Sequence, residues 1–272
     1  MNKKINTMYF SATDTTKKIV SGIAKKISEN NHSDIAINNI DFTIPKVREE
    51  QVSFTENDVV IIGVPVYGGR VPNVLLEYLN SIKGNGALAI SVVVYGNRDF
   101  DDALVELKDI LESDGFKVIA EGAFIGEHSF SNTVAQNRPD EKDMLVVNDF
   151  ANQIYTKITT EDKITTPAVR GNKSYIKHSK PQKKDGKNVD IKQVTPKTNS
   201  NCTDCKLCVD FCPMGSIDFN DVSKVSGICI KCGACIKKCP VNAKYFDDEN
   251  YLKSKHKLET NYVSRREPEI FI

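Results

Sequence analysis

The chain has 272 residues, of which 40% are hydrophobic and 27% are charged, and its formal net charge at pH 7 is +1. This composition is typical of a folded globular protein and excludes fibrous and low-complexity chains. No apolar run approaches the ~18 residues needed to cross a bilayer, and no secretory leader follows the basic first residues, so we expect a cytoplasmic protein without a membrane span.

The first 158 residues alternate strand-like and helix-like segments. Runs rich in β-branched residues predict five strands, which begin at Lys4, Asp34, Asp58, Ala87 and Phe116. Amphipathic stretches predict helices after the first strand, over about Val71–Ile82, over about Phe100–Ser113 and over Asp140–Lys157. Continuous apolar strands that alternate with helices are buried on both faces. The pattern therefore predicts an α/β fold with a doubly wound, five-stranded parallel sheet.

Three loops leave the carboxyl ends of these strands, at residues 11–17, 65–72 and 95–102. Ligands of doubly wound sheets bind at this edge, at the topological switch point. The first loop is rich in hydroxyl groups at a helix N-terminus, which favours a phosphate. It matches neither the dinucleotide-binding nor the triphosphate-binding glycine pattern, and Ser and Thr are also ordinary helix caps.

The second half of the chain differs in charge from the first. Residues 1–150 contain 15 Lys and Arg against 22 Asp and Glu, whereas the remainder contains 22 against 14. This asymmetry indicates two modules, and the basic half has no nucleic-acid-binding signature, so we expect no nucleic-acid partner. Residues 159–200 predict a basic linker, which is either solvated or packed on the acidic half, because they contain the breakers Pro167, Gly171, Pro181, Gly186 and Pro196.

All eight cysteines lie in two runs, CTDCKLCVDFCP and CIKCGACIKKCP, with the shared spacing C-x-x-C-x-x-C-x-x-x-C-P. Bacterial two-cluster ferredoxins hold 4Fe–4S clusters with this spacing, and the fourth cysteine of each run serves the other cluster. Structural zinc needs only two pairs of thiolates, and disulfides suit small secreted domains, so both are weaker alternatives. The spacing predicts one cluster on Cys202, Cys205, Cys208 and Cys239, and a second on Cys229, Cys232, Cys235 and Cys212.

Several motifs of the first half support a family resemblance: FSATDTTK, PVYGGRVP, YGNRDFDDAL and AFIGEHSFS. Together with the cysteine runs and the final RREPEIFI, they resemble the flavodoxin–ferredoxin fusion proteins of anaerobic bacteria and archaea over essentially the whole chain. The resemblance implies a flavodoxin-like FMN-binding domain over residues 1–158. A small α+β ferredoxin domain with two 4Fe–4S clusters would follow over residues 201–246, and residues 247–272 would pack back as a C-terminal tail.

The resemblance also implies which residues bind FMN. The phosphate would contact Ser11, Thr13, Thr15, Thr16 and Lys17. The flavin ring would contact Pro65, Val66, Tyr67, Gly68, Gly69 and Arg70 on one side, and Tyr95, Gly96, Asn97, Arg98 and Asp99 on the other. The chain departs from the family pattern at Asp14, where the phosphate loop usually has glycine. A carboxylate there either points outward or weakens FMN binding.

The resemblance implies an electron-transfer protein that passes electrons between FMN and the clusters and on to redox partner proteins, without a catalytic residue. Two alternatives stay open: a flavin-dependent reductase of a small-molecule acceptor, and a redox sensor or assembly factor that has lost flavin. His128, in the motif GEHSFS, is either a surface residue or one that approaches the flavin or a cluster. A homodimer is also left open.

Overall fold

The computed structural model describes residues 3–31, 36–160, 164–176 and 194–272. The N-terminal domain comprises β1 (Lys4–Tyr9), α1 (Thr15–Asn30), β2 (Ile37–Asp41), β3 (Asp58–Pro65), α2 (Leu76–Leu79), β4 (Leu88–Tyr95), α3 (Ala103–Ser113), β5 (Lys117–Ile125) and α4 (Glu141–Thr160). After it come β6 (Lys197–Thr198), α5 (Leu207–Asp210), α6 (Ala234–Lys237), β7 (Lys244–Tyr245), α7 (Glu249–Asn261) and β8 (Glu269–Phe271). Short 3-10 turns lie at Pro45–Glu49 and Asn73–Leu75.

The central sheet has the strand order β2-β1-β3-β4-β5-β8. The first five strands are parallel, and their order is that of flavodoxin-like doubly wound sheets, so the predicted fold class is confirmed. The sixth strand was not predicted. It is formed by the C-terminal segment and pairs antiparallel with β5, with Ile270 opposite Gly122. The tail thus closes one edge of the sheet.

Two apolar layers hold the sheet between helices. β3 and β4 are buried along almost their whole length, as strands covered on both faces should be. One layer joins the sheet to α1 and α4. Within it, Ile19, Ile23 and Ile27 of α1 are fully buried at helical spacing, each stabilising the fold by roughly 1.5–3 kcal/mol. Gly63 of β3 lets α1 pack closely, because a β carbon there would stand 2.3 Å from a methyl carbon of Val20.

Two predicted elements differ in extent from the observed ones. The second strand was predicted from Asp34, a residue outside the described part of the chain, and β2 is observed over Ile37–Asp41. The helix predicted over Val71–Ile82 is only a 3-10 turn followed by α2. Pro72 is extended and delays its start, and the side chain of Asn80 donates to the carbonyl of Leu76 (2.7 Å). That local hydrogen bond competes with continuation of the helix.

The C-terminal module packs against loops at the carboxyl edge of the sheet, where Lys237 pairs with Glu127 and Lys238 pairs with Asp14. Its α5 and α6 are single turns, one in each cysteine run, and β6 pairs antiparallel with β7. Ala234 is fully buried and Cys232 is buried, and both belong to the same apolar layer as Val64 and Tyr95 of the N-terminal domain. The two modules therefore share part of one core. In the part of the chain that is described, no helix has the length and apolarity needed to span a membrane.

The described part of the predicted linker, residues 164–176, packs on the acidic N-terminal domain. Arg170 pairs with Asp99 (2.9 Å), the backbone N–H of Asn172 donates to Asp102 (2.9 Å), and the hydroxyl of Tyr175 donates to Asp109 (2.7 Å). Of the two expectations for the linker, packing on the acidic half therefore holds for these residues. Residues 161–163 and 177–193 lie outside the described part of the chain, and the predicted domain boundaries stay predictions.

Candidate flavin and cluster sites

A cavity of about 940 Å³ lies at the carboxyl edge of the sheet. The loops after β1, β3 and β4 meet there because these strands are parallel neighbours. Most residues predicted to bind FMN line the cavity: Thr13, Thr15, Thr16, Pro65, Val66, Tyr67, Gly68, Gly69, Tyr95, Gly96, Arg98 and Asp99. Four predicted residues do not line it: Ser11, Lys17, Arg70 and Asn97.

The first loop forms a closed turn before α1. The hydroxyl of Ser11 accepts a hydrogen bond from the N–H of Lys17 (2.9 Å), so Ser11 shapes the turn from within. Asp14 has the left-handed conformation (φ 64°) for which glycine is normally favoured, so the turn keeps its shape without glycine. In the described chain, the N–H groups of Thr15 and Thr16 in the first turn of α1 have no backbone acceptor. Such groups bind phosphate.

The second loop is a tight turn fixed to α3. Tyr67 and Arg70 exchange backbone hydrogen bonds (2.9 and 3.3 Å), and Gly68 and Gly69 between them are left-handed. The guanidinium of Arg70 points away from the cavity, since it donates to Glu106 (Nε to Oε2, 2.7 Å) and lies over the ring of Tyr175. Arg70 therefore anchors the loop, and the glycine backbone faces the cavity.

Some polar residues of the third loop line the cavity, and others bind the C-terminal segment. Asn97 is buried, and its side-chain amide donates to the carbonyls of Tyr262 (2.8 Å) and Ser264 (2.9 Å) and accepts from the N–H of Arg266. Asp99 also pairs with Arg266 (3.1 Å). Asn97 thus holds the segment that leads into β8, a role that no local sequence pattern indicates.

The loop after β5 adds a fourth wall, which includes His128. The Nδ1 atom of His128 accepts a hydrogen bond from the N–H of Phe130 (3.1 Å). Burial, aided by the charges of Lys237 and Arg98, lowers the pKa of His128 to about 4. The imidazole is therefore neutral at pH 7, and its proton is assigned to Nε2 because Nδ1 is an acceptor.

The remaining walls come from the C-terminal module, and sequence reasoning missed them. They consist of Val194, the segment Ile228–Cys232, and five residues in or next to α7: Asp248, Asn250, Tyr251, Ser254 and Leu258. The ring of Tyr251 packs against the rings of Phe130 and Phe246 in tilted arrangements, with centroid separations of 4.6 Å and 4.2 Å. Burial raises the pKa of the Tyr67 and Tyr251 hydroxyls, and nearby Cys229 and Cys232 raise it further. Both hydroxyls therefore lie near the second cysteine run.

The two cysteine runs have the same backbone conformation. Left-handed residues recur at matching positions, with Asp204 and Lys231 two residues after the first cysteine of each run, and Lys206 and Gly233 one residue after the second. The fourth cysteine of each run accepts a backbone N–H four residues later, Cys212 from Ser216 (3.3 Å) and Cys239 from Ala243 (3.2 Å). The repeat in sequence is thus a repeat in structure.

The cysteines are all free thiols. A smaller cavity is lined by the four that were predicted to hold the second cluster, Cys212, Cys229, Cys232 and Cys235. For the first cluster, Cys202 and Cys205 lie close enough to Cys208 to raise its pKa, in addition to the larger effect of burial. Within the described residues, no three His, Cys, Asp or Glu side chains converge as ligands of one metal ion. A cube takes its thiolates at separate corners, further apart than ligands of a single ion.

Comparison with protein families identifies the C-terminal module. Residues 149–253 match the family described as "4Fe-4S dicluster domain". The chain joins a flavodoxin-like domain to a 4Fe–4S dicluster domain. This combination indicates a redox role. No curated protein matches the chain.

Several solved structures are similar to the flavodoxin-like domain. A flavodoxin from the domain Archaea is 17% identical, with 57% of this chain and 98% of that chain covered and a TM-score of 0.42. An apo NADH:FMN oxidoreductase is 17% identical, with 60% and 93% covered and a TM-score of 0.43. An FMN-bound flavodoxin from Fusobacterium nucleatum is 19% identical, with 56% and 96% covered and a TM-score of 0.37. The strand order, and not these similarities, identifies the fold.

Three thiols of the second cysteine run, those of Cys229, Cys232 and Cys235, are protonated at neutral pH before they bind iron. Burial raises the pKa of Cys229 and Cys235, and it raises the pKa of Cys232 to about 12. Iron binds the thiolate form, so loading of this site releases protons. Six lysines lie in or near the runs, where positive charge offsets the negative charge of iron–sulfur cubes: Lys206, Lys224, Lys231, Lys237, Lys238 and Lys244. Two of them, Lys237 and Lys238, instead pair with carboxylates of the flavodoxin-like domain.

Proposed function

We propose that the protein transfers electrons between FMN, bound in the 940 Å³ cavity, and two 4Fe–4S clusters, and that it passes them to redox partner proteins. One observation carries this proposal. Cys229 and Cys232 line both the large cavity and the small cavity enclosed by the thiols of the second cluster site. When bound, FMN supplies one- or two-electron exchange and each cluster supplies one-electron exchange. The chain supplies the positions of the three sites.

The residues around the cavity fit FMN. The free N–H groups of Thr15 and Thr16 suit its phosphate, and the backbone of Gly68 and Gly69, which line the cavity, suits the polar edge of a flavin ring. Neutral His128 can donate from Nε2 without adding charge. The cavity lies within the range of about 300–1,000 Å³ that is typical of small-molecule sites.

The two cluster sites have different surroundings, which supports an order of transfer. The site with Cys229 and Cys232 adjoins the flavin cavity, whose lining also includes Tyr67 and Tyr251. Cys205 of the other site is exposed to solvent. We infer that electrons pass between the cavity and the site with Cys232 first, and that the site with Cys205 exchanges electrons with partner proteins.

A reductase of a small-molecule acceptor is a second candidate, favoured by the size of the cavity. Its volume is near the upper end of the usual range, and its outer wall carries the polar side chains of Asn250 and Ser254. An acceptor next to the flavin would be reduced without any protein partner. Steady turnover of a soluble quinone, at a rate that does not depend on added ferredoxin or flavodoxin partners, would favour this candidate over a carrier.

Anaerobic reconstitution tests the carrier proposal directly. The full chain, treated with iron, sulfide and flavin and then desalted, should retain about one FMN and about eight iron atoms per chain. FMN should bind more tightly than FAD, because the first loop binds one phosphate group and has no dinucleotide pattern. Rapid mixing with a one-electron reductant should reduce the clusters and the flavin in successive phases. Protein that retains clusters but no flavin would contradict the proposal and favour the sensor or assembly factor.

A further inference from the structure

The two modules are joined by an ion pair at the phosphate loop. Lys238 Nζ lies 2.9 Å from Asp14 Oδ2 and 3.0 Å from Oδ1. Asp14 stands between Thr13 and Thr15, which both line the cavity, and its side chain makes no capping hydrogen bond to α1. The carboxylate that replaces the usual glycine of this loop is therefore engaged by a residue of the dicluster domain.

Lys238 is held in place by its own domain. Its side chain is 21% exposed, and its ammonium lies 4.6 Å from the centroid of the Phe211 ring. An aromatic face attracts a cation, and the apolar stem of a lysine packs on the same surface. Because Phe211 precedes Cys212 and Lys238 precedes Cys239, the two cysteine runs together fix the position of the ammonium.

The neighbouring residue makes a second contact of the same kind. Lys237 pairs with Glu127 and donates to the carbonyl of Ser131 (2.8 Å), both in the loop after β5. The backbones also approach closely, since a β carbon on Gly233 would stand 2.6 Å from the carbonyl oxygen of Ser129. The dicluster domain is thus fixed against two loops of the cavity rim, which keeps the backbone of Lys238 next to Asp14.

The charge balance of the phosphate loop depends on this contact. Asp14 adds a negative charge next to the free N–H groups of Thr15 and Thr16 that suit a phosphate dianion. The nearby lysines of α1 do not offset it, because Lys17 is exposed away from the cavity and Lys18 donates to the carbonyl of Pro139 (2.8 Å). Lys238 is the cation that neutralises Asp14.

We propose that Lys238 completes the FMN phosphate site from the dicluster domain, so that the flavin site of this chain is built across the domain interface. The inference rests on the proposed FMN site. Its consequence is a reciprocal coupling: docking of the dicluster domain favours FMN binding, and bound FMN favours docking, because the two share one free energy of interaction. Asp14 then serves as the link between the domains, because Lys238 offsets its charge next to the phosphate site.

Four full-length proteins test the proposal: the wild type, Lys238→Gln, Asp14→Asn and the double variant. Each is titrated with FMN and with riboflavin, which has the same ring but no phosphate. Lys238→Gln should weaken FMN binding by roughly 3- to 10-fold, and Asp14→Asn should tighten it by a similar factor, because the local charge changes by one unit in opposite directions. The FMN affinity of the double variant should be close to that of the wild type. All differences should shrink at high salt, and riboflavin affinity should not follow the charge.

A matched control is Lys224→Gln, which removes an exposed lysine of the same domain that pairs with Asp221. It should leave FMN affinity unchanged. Equal loss of FMN and riboflavin in Lys238→Gln would show that Lys238 acts through packing, which overturns the proposal. Lys238 is next to Cys239, so loss of iron in Lys238→Gln would obscure the result for that variant. Asp14 is far in sequence from the cysteines. The proposal is therefore overturned if Asp14→Asn does not bind FMN more tightly than the wild type. If the wild type binds riboflavin and FMN equally, only this inference fails; if it binds neither, the proposed function fails as well.

Discussion

The imidazole of His128 packs on the backbone of Gly96, such that a β carbon at position 96 would stand 2.4 Å from His128 Cδ2. The two residues follow neighbouring strands, β4 and β5, and both line the large cavity. The backbone of Gly96 is not left-handed, so the position needs glycine for space and not for conformation. Glycine at this point of YGNRD therefore sets the position of the histidine ring.

Replacing Gly96 with alanine should displace the His128 ring into the cavity and weaken FMN binding by roughly tenfold or more, since overpacking costs about 1–3 kcal/mol. Fluorescence titration of the reconstituted protein measures the loss. The double variant Gly96→Ala/His128→Ala lacks the clashing ring and should recover part of the FMN affinity. An unchanged FMN affinity in Gly96→Ala would mean that the ring has room to move elsewhere.

His128 should also make the stability of the protein depend on pH. Its pKa is about 4 in the folded chain, mainly because it is buried, and about 6.5 when unfolded. Between these values the unfolded chain binds more protons, so this contribution to stability is present above pH 6.5 and is lost as the pH falls towards 4. Compared with His128→Gln, the wild type should lose about 1–3 kcal/mol more unfolding free energy over this range. Urea unfolding at several pH values measures this difference, and parallel curves for the two proteins would contradict it.

Local sequence patterns were sufficient for the elements that form the sheet and for the loops at its edge. β3 and β4 could be predicted because strands buried on both faces are continuously apolar, and the loops followed because parallel strands end at one edge. The grouping of Cys212 with Cys229, Cys232 and Cys235 around one cavity was predicted from spacing alone. These are cases in which neighbours in sequence determine the structure.

The parts that could not be predicted depend on contacts between distant residues. Asn97 was assigned to the flavin because YGNRD looks like a flavin loop, but its amide binds Tyr262 and Ser264, more than 160 positions away. α7 lines the cavity with Tyr251 and Leu258, although no motif in that helix indicates a ligand. A short strand such as β8 has too few residues for a periodic pattern. All three features depend on contacts between the C-terminal part of the chain and the N-terminal domain.

Asn97→Ala should loosen the C-terminal segment and leave FMN affinity nearly unchanged. The variant leaves two carbonyls and one N–H without their partner, which costs about 1–3 kcal/mol for each unsatisfied group that water does not reach. Hydrogen exchange of residues 262–271 should accelerate, whereas exchange in β3 should not. A large loss of FMN affinity with normal exchange would instead place Asn97 at the flavin.

Glu121 should produce the opposite pH dependence from His128. It is fully buried in β5, where Ser91 donates to its Oε2 (3.0 Å) and Lys108 Nζ lies 3.5 Å from Oε1. Burial raises its pKa to about 7, and Lys108 and Ser91 offset only part of that effect. The folded chain therefore binds more protons than the unfolded chain between about pH 4.5 and 7, and this contribution to stability is lost as the pH rises.

The variant Glu121→Gln keeps the size of the side chain and removes its charge. The unfolding free energy of the wild type relative to this variant should fall by about 1–3 kcal/mol between pH 5 and pH 8. Glu77→Gln, at an exposed position of α2, is the control and should leave the pH dependence unchanged. A constant difference between wild type and Glu121→Gln would show that the carboxyl group is ionised throughout this range.

The fourth cysteines of the two runs should have separable effects. Cys212 lines the small cavity with Cys229, Cys232 and Cys235, so Cys212→Ala should destabilise the cluster next to the flavin cavity. Cys239→Ala should destabilise the cluster on Cys202, Cys205 and Cys208, because the spacing assigns each fourth thiolate to the other run. Each variant should retain about four of the eight iron atoms.

Electron exchange with the flavin distinguishes the two variants. In Cys239→Ala the cluster that remains adjoins the cavity, so rapid mixing should still show fast exchange between flavin and cluster. In Cys212→Ala the remaining cluster is the one with exposed Cys205, and exchange should slow strongly, whereas reduction by an external one-electron donor should persist. Slow exchange in Cys239→Ala, with normal exchange in Cys212→Ala, would reverse the ligand assignment, because each run would then use its own fourth cysteine. It would leave the order of transfer unchanged, since the site with Cys232 would still be the one that exchanges with the flavin.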